Sequence, residues 1–154
     1  MAKRRAFPHR IVARIDGAQY AALKEQAAAH GYQVALAERW ILIPRGEDLY
    51  PGSLDDAAEM MARPLPSGAA ARRKDALVRH NIYLTDAEYE LVTRAAMKRG
   101  LVRGSYVTQT MRDEIAAAED MGWPFPEGIT NESVDESAKR MLRQMEEATD
   151  RSGD

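Results

Sequence analysis

Hydrophobic alternation appears first at His9. Ile11, Ala13 and Ile15 fall on one face of an extended stretch, and Arg10, Val12 and Arg14 fall on the other. Period two over a short β-branched run predicts a strand. Asp16 is placed to cap a following helix, in which Tyr20, Leu23, Ala27 and Ala28 recur at helical spacing up to Gly31. A second helix, expected over 33–42, carries Val34, Ala37, Trp40 and Ile41 on one side, and Pro44 stops it.

The same order returns near Val78. Ile82 and Leu84 face inward in a second alternating run, with Arg79, Asn81 and Tyr83 outward. Thr85 or Asp86 then caps a helix with Tyr89, Val92, Ala96 and Met97, which closes at Gly100. The next helix, expected over 103–120, shows Val107, Met111 and Ile115 at one-turn spacing. Sliding the chain by 69 residues superposes Arg10 on Arg79, Ala18 on Ala87, Tyr20 on Tyr89, Ala27 on Ala96 and Gly31 on Gly100. Strand, cap, aromatic, glycine and second helix fall in step, so the chain reads as an internal repeat.

Between the copies, Ser53-Leu54-Asp55-Asp56 opens a short helix through Met61. Pro64, Pro66 and Gly68 break it, and residues 69–74 read as a basic linker. After the second copy, Trp123-Pro124-Phe125-Pro126 reads as a rigid loop. Ser133-Val134-Asp135-Glu136 is expected to open a last helix with Val134, Met141 and Met145 on one side. The divisions are therefore a basic arm at 1–8, a first unit at 9–44, a linker at 45–77, a second unit at 78–120 and a loop with a helical tail at 121–154.

Charge sharpens this picture more than composition does. The 154 residues carry a net charge of only −2. Residues 113–154, however, hold 12 acids and 4 bases, a net −8, which leaves 18 bases and 12 acids, a net +6, in the rest. A basic body with an acidic tail favours an anionic partner for the body. Without cysteine there is no disulfide, thiolate nucleophile or cysteine-held zinc. No stretch is apolar enough for a membrane span, and the basic N-terminus lacks a signal peptide's apolar core, so a cytoplasmic protein without a membrane partner is expected.

One strand and two helices cannot close a core, because a lone strand leaves its backbone edges and apolar face exposed. Antiparallel pairing with the second copy solves this, giving a two-stranded ribbon over a four-helix core. The fold class is α+β, mostly helical. The run His80-Asn81-Ile82-Tyr83-Leu84-Thr85-Asp86, continuing through Glu90-Leu91-Val92, Ala96 and Gly100 to Val107, resembles the ribbon-helix-helix family of DNA-binding proteins of the Arc and MetJ type. The first unit looks like a divergent copy. Two units in one chain, forming an intrachain pseudo-dimer, resemble conjugative relaxosome accessory proteins (TraY-like) and the T-DNA border-binding accessory protein.

The resemblance implies double-stranded DNA as partner and no cofactor. It places base reading in the major groove on the outward ribbon residues Arg10, Val12, Arg14, Arg79, Asn81 and Tyr83. Arginine suits guanine O6/N7, asparagine suits adenine N6/N7, and valine or tyrosine packs on a thymine methyl. It also places a backbone phosphate at the N-terminus of each second helix. The matching positions are Val102, Arg103, Gly104 and Ser105, with Gln33 and Val34 in the first unit. Lys3, Arg4 and Arg5 form a candidate phosphate-binding arm.

Other candidates are weaker. His9, His30 and His80 lack ligand spacing, and His80, at an inward strand position, reads as a satisfied core histidine rather than a metal ligand. Tyr20 and Tyr89 read as core plugs. No phosphate loop, dinucleotide loop or nucleophile elbow is present. The adjacent pairs Asp55-Asp56 and Glu146-Glu147 diverge on helices, so no enzyme is expected. The leading expectation is an accessory factor for conjugative DNA transfer, with the acidic helix meeting a relaxase. A repressor, or an antitoxin whose 133–149 tail blocks a toxin, is the first alternative. A protein–protein adaptor that binds no DNA is the second.

Overall fold

The computed structural model describes residues 7–43, 48–61, 77–123 and 125–152. The candidate arm Lys3, Arg4 and Arg5, the helix stop at Pro44 and the 69–74 linker lie outside the described residues.

The first alternating run forms strand β1 (His9–Asp16), and the second forms β2 (Leu77–Leu84). They pair antiparallel as a two-stranded sheet, with Arg10 opposite Tyr83, Val12 opposite Asn81 and Arg14 opposite Arg79. Helices α1 (Gly17–Ala29) and α2 (Val34–Leu42) follow β1. A 3₁₀ turn at Leu54–Asp56 leads into the short α3 (Ala57–Met60). After β2 come α4 (Asp86–Arg99), α5 (Arg103–Met121) and α6 (Asn131–Ser152).

Local chemistry accounts for the boundaries. The Asp16 carboxylate accepts from the N–H groups of Ala18 and Gln19, satisfying two orphan donors of α1. Thr85 and Glu88 form a reciprocal capping box on α4. Gly31 and Gly100, at φ 82° and 71°, take the left-handed conformation just past α1 and α4, which only glycine adopts cheaply. Both helix pairs begin 69 residues apart, at Gly17 and Asp86 and at Val34 and Arg103. The sheet register keeps this offset. Val12 and Asn81 are equivalent positions in the repeat and also face each other across the ribbon, so a local pseudo-twofold passes between them.

The inward ribbon residues Ile11, Ala13, Ile15, Ile82 and Leu84 are buried. Beneath them pack Leu23 and Ala27 of α1, Ile41 and Leu42 of α2, Leu91, Val92 and Met97 of α4, and Val107, Met111 and Ile115 of α5. Burial of the valine, leucine, isoleucine and methionine side chains among these is worth about 1.5–3 kcal/mol each against unfolded exposure.

Three expectations need correction. Tyr20 and Tyr89 are half-buried and pack against the rim of the core, whereas the fully buried ring is Tyr106. In α2, Glu38 and Arg39 are buried and Trp40 is half-buried, because the C-terminal half of this short helix is enclosed, whereas Ala35 in its first turn is exposed. The last helix starts at Asn131, not Ser133. Thr130 and Ser133 exchange side-chain bonds with each other's N–H groups, which moves the cap three residues upstream. Its Val134 and Ala138 join the core, together with Phe125 and Ile129 of the preceding loop, and past Ala138 it has no further buried side chain among the described residues.

Candidate functional site

The outer face of the ribbon collects all six expected reading positions. Arg10, Arg14, Arg79, Asn81 and Tyr83 are exposed and Val12 is half-exposed, and alternation holds along both strands except at Val78, an inward-phase residue that is exposed near the start of β2. Tyr83 leaves half of its surface in solvent at 50%. The register sets Arg14 directly against Arg79, and like charges so placed destabilise a sheet. A third arginine, Arg10, shares the face. This concentrates positive charge on the face, whose one carboxylate by strand phase, Asp16 at the end of β1, is turned to capping α1.

Two helix N-termini flank this face. The N-cap positions of α2 and α5 are Gln33 and Val102, and neither makes a side-chain capping bond. Asp16 and Thr85, by contrast, cap α1 and α4. The N-cap residue of each second helix thus supplies no side-chain acceptor to the first N–H groups, and the helix start is a local site of positive potential.

The two flanks differ. At α5, Gly104 lies against the ribbon: a Cβ there would stand 2.9 Å from the Val12 carbonyl oxygen, so any larger residue forces helix and strand apart. The Arg14 backbone N–H donates to Thr108 Oγ1 at 3.1 Å, tying the same helix to β1. Arg103 turns back across α4. Its Nε donates to Thr93 Oγ1 at 2.8 Å, and its guanidinium lies 4.7 Å over the Tyr89 ring. Tyr89 in turn stacks on His9 at 4.0 Å, and His9 Nε2 sits 2.7 Å from Asp86 Oδ1. Arg103 is therefore half-buried and oriented by neighbours, beside Gly104 and Ser105, rather than swinging freely from the helix start. At α2 the equivalent residue is Val34, and Gln33 and Val34 border a cavity shared with Asn81 and Tyr83.

Two polar pairs escaped the sequence reading. Arg39 of α2 forks onto Glu88 of α4, Nε to Oε1 at 2.9 Å and the terminal nitrogen to Oε2 at 2.5 Å, with both side chains buried. Its other terminal nitrogen donates to Asn131 Oδ1 at 2.6 Å, and Thr85 Oγ1 donates to Asp135, so the network also seats α6. The sequence reading named Thr85 or Asp86 as the cap, and the Thr85-x-x-Glu88 spacing is the signal that could have found Glu88. Nothing local in the sequence named Arg39.

The second pair joins ribbon to helix. His80 sits half-buried with Nε2 at 2.9 Å from Glu38 Oε1 and 2.7 Å from Oε2, and Tyr20 tilts against its ring at 4.9 Å. This agrees with its reading as a satisfied histidine. Burial pushes the Glu38 carboxyl above its ordinary 4.5, against the lowering effect of His80. The hydrogen bond to Glu38 raises His80 above 6.5, against the lowering effect of burial. Each group holds its proton more tightly folded than unfolded, so unfolding releases protons and stability falls as pH rises. The His80 contribution is complete below 6.5 and is lost as pH climbs through its raised folded value, while Glu38 acts in the same direction from 4.5 upward. Stability of the natural chain should therefore fall from about pH 5.5 to about pH 8 more steeply than that of Glu38→Gln. Urea midpoints of both proteins at the two pH values check this; parallel changes would remove the pair as the source.

No family model, no curated protein and no solved structure matches the chain. Among the described residues, no helix is long and apolar enough to cross a membrane, and no group of three or more histidines or carboxylates is placed to hold a metal.

Proposed function

We propose that this chain is a sequence-specific double-stranded DNA-binding protein, built as two ribbon-helix-helix units closed into an intrachain pseudo-dimer. The β-ribbon enters the major groove, whose width accepts two strands and whose base edges carry a distinct pattern at each pair. The supporting observation is the outer ribbon face. Six outward residues converge there around the Val12–Asn81 dyad, with Arg14 held against Arg79 at a cost that an anionic partner would relieve. The uncapped starts of α2 and α5 suit the flanking phosphates. The role is binding, not catalysis.

The biological role we infer is that of an accessory factor in conjugative or mobilisable DNA transfer. A homodimeric ribbon presents identical strands and selects a palindrome. This ribbon presents Arg10, Val12 and Arg14 on one strand and Arg79, Asn81 and Tyr83 on the other, and its flanks differ as described. The preferred site is therefore asymmetric and gives the bound protein a direction, which a strand-specific nick requires and a simple repressor does not. The exposed acids of α6, including Glu146 and Glu147, are the surface for a relaxase or another transfer protein.

In-vitro selection from random duplexes should return an asymmetric consensus. A clean palindrome would overturn the directional reading. Failure to enrich any sequence would overturn DNA reading itself and favour an adaptor role.

A further inference from the structure

Gly104 and Ala35 are equivalent positions of the repeat, and the ribbon treats them differently. Gly104 lets α5 approach β1 so closely that a Cβ would meet the Val12 carbonyl. On the other side, where α2 meets β2, the chain has Ala35, and a cavity of about 560 Å³ opens. Two further exchanges fall at the same place. Glu38 corresponds to Val107, and His80 corresponds to Ile11, both buried and apolar in the other half. Where one half of the molecule is closed by aliphatic side chains, the other has an opening with a carboxylate and an imidazole in its wall.

The volume falls within the roughly 300–1,000 Å³ of small-molecule sites. Phe7, Val34, Leu36 and Ile82 supply apolar wall. Glu38 is 1% exposed, and the donor that reaches it is His80 Nε2, which lies between both carboxylate oxygens. One N–H cannot fill the lone pairs of two oxygens, so the buried carboxylate retains acceptor capacity. Among the described residues, Glu38 Oε2 is left without a hydrogen-bond donor of its own. The neighbouring Arg39 differs, because Glu88 and Asn131 already occupy its donors.

The geometry points to a binding site in this cavity for a small organic cation, with an apolar or aromatic body and an amine or amidine head donating to Glu38. The body lies among Val34, Leu36 and Ile82, and the head donates to Glu38 Oε2, the oxygen with which His80 makes no hydrogen bond. An anionic ligand is disfavoured, because its head would meet the Glu38 carboxylate. The site stands independently of whether the ribbon reads DNA.

Benzamidine is a suitable probe, with benzoate as the control of matching shape and opposite charge. Titrated into the full chain at millimolar concentration, benzamidine should give saturable amide shifts confined to Val34, Ala35, Leu36 and the side chains of Asn81 and Asn131. Benzoate should leave these signals in place. Glu38→Gln should weaken benzamidine binding by about tenfold, the loss of one charge-assisted hydrogen bond. Ala35→Leu fills the opening while leaving the Glu38–His80 pair intact, and should abolish saturation even if Glu38→Gln does not fold. Equal shifts from both probes, no saturable shift, or unchanged binding in Ala35→Leu would each overturn the site.

Discussion

Glu88→Ala is expected to cost about 3–5 kcal/mol of stability, the largest effect of any single substitution outside the apolar core. The reason is what remains behind. Arg39 is 2% exposed, and without Glu88 its guanidinium stays buried with no carboxylate beside it among the described residues, held by Asn131 and lying over the Phe7 ring. A second loss adds to the first, because Glu88 Oε1 also accepts from the Thr85 N–H and closes the capping box of α4. Glu88→Gln keeps the volume and the cap acceptor but not the charge, so it should fall between the two. Arg39→Met paired with Glu88→Leu removes both charges and should cost less than either single truncation to alanine. The residual cost of the pair reflects the unpaired Thr85 N–H and the lost Asn131 bonds. Guanidinium unfolding of the natural chain, Glu88→Ala, Glu88→Gln, Arg39→Ala and the double variant measures the series. A loss below about 1 kcal/mol for Glu88→Ala would mean that water reaches Arg39 and that the pair is not closed.

The ribbon and its repeat were legible in the sequence for a physical reason. Period-two alternation in a strand depends on near neighbours alone, and Ile11, Ala13, Ile15, Ile82 and Leu84 show it without help from the rest of the fold. Helix starts were legible where a polar side chain just before the helix caps its first N–H groups, as at Asp16 and Thr85. The offset of 69 residues did more, because it set equivalent positions in both units, and the register of the ribbon keeps them.

The rest depends on partners distant in sequence. Glu38 and Arg39 sit side by side in a helix whose apolar stripe was drawn around them, and charged residues read as solvated by default. They are buried because His80 and Glu88, 42 and 49 residues away, meet them. Tyr106 was missed for a related reason. Tyr20 and Tyr89 repeat across the units and drew attention as plugs, yet the enclosed ring is one whose equivalent in the first unit is Ala37. The start of α6 was misplaced because Ser133-x-x-Glu136 imitates the box that Thr130 and Ser133 form. The cavity beside Asn81 depends on how closely two helices approach two strands, a distance set by Gly104 against Ala35 that no periodicity encodes.

Combining Arg14→Ala with Asn81→Ala should reduce affinity for the selected DNA site by about 10²- to 10⁴-fold while leaving affinity for random duplex within about tenfold. Each good bidentate contact to a base edge discriminates by about 1–3 kcal/mol, and these two residues offer the two commonest kinds, arginine to guanine and asparagine to adenine. They are diagonal neighbours on the ribbon, since Asn81 faces Val12 and Arg14 faces Arg79, so their effects need not add fully. Stability gives an internal control. Both side chains are exposed on the outer face, and removing Arg14 also relieves its repulsion with Arg79, so the double variant should fold as well as the natural chain. Arg103→Ala provides the contrast. A group at a helix start beside a phosphate contributes equally to every sequence, so its loss should weaken specific and random DNA alike and lower the salt slope by about one. Fluorescence anisotropy over a range of salt concentrations separates the two behaviours. Unchanged specific affinity in the double variant would show that the ribbon face does not read the bases, even if the protein binds DNA through its flanking helices.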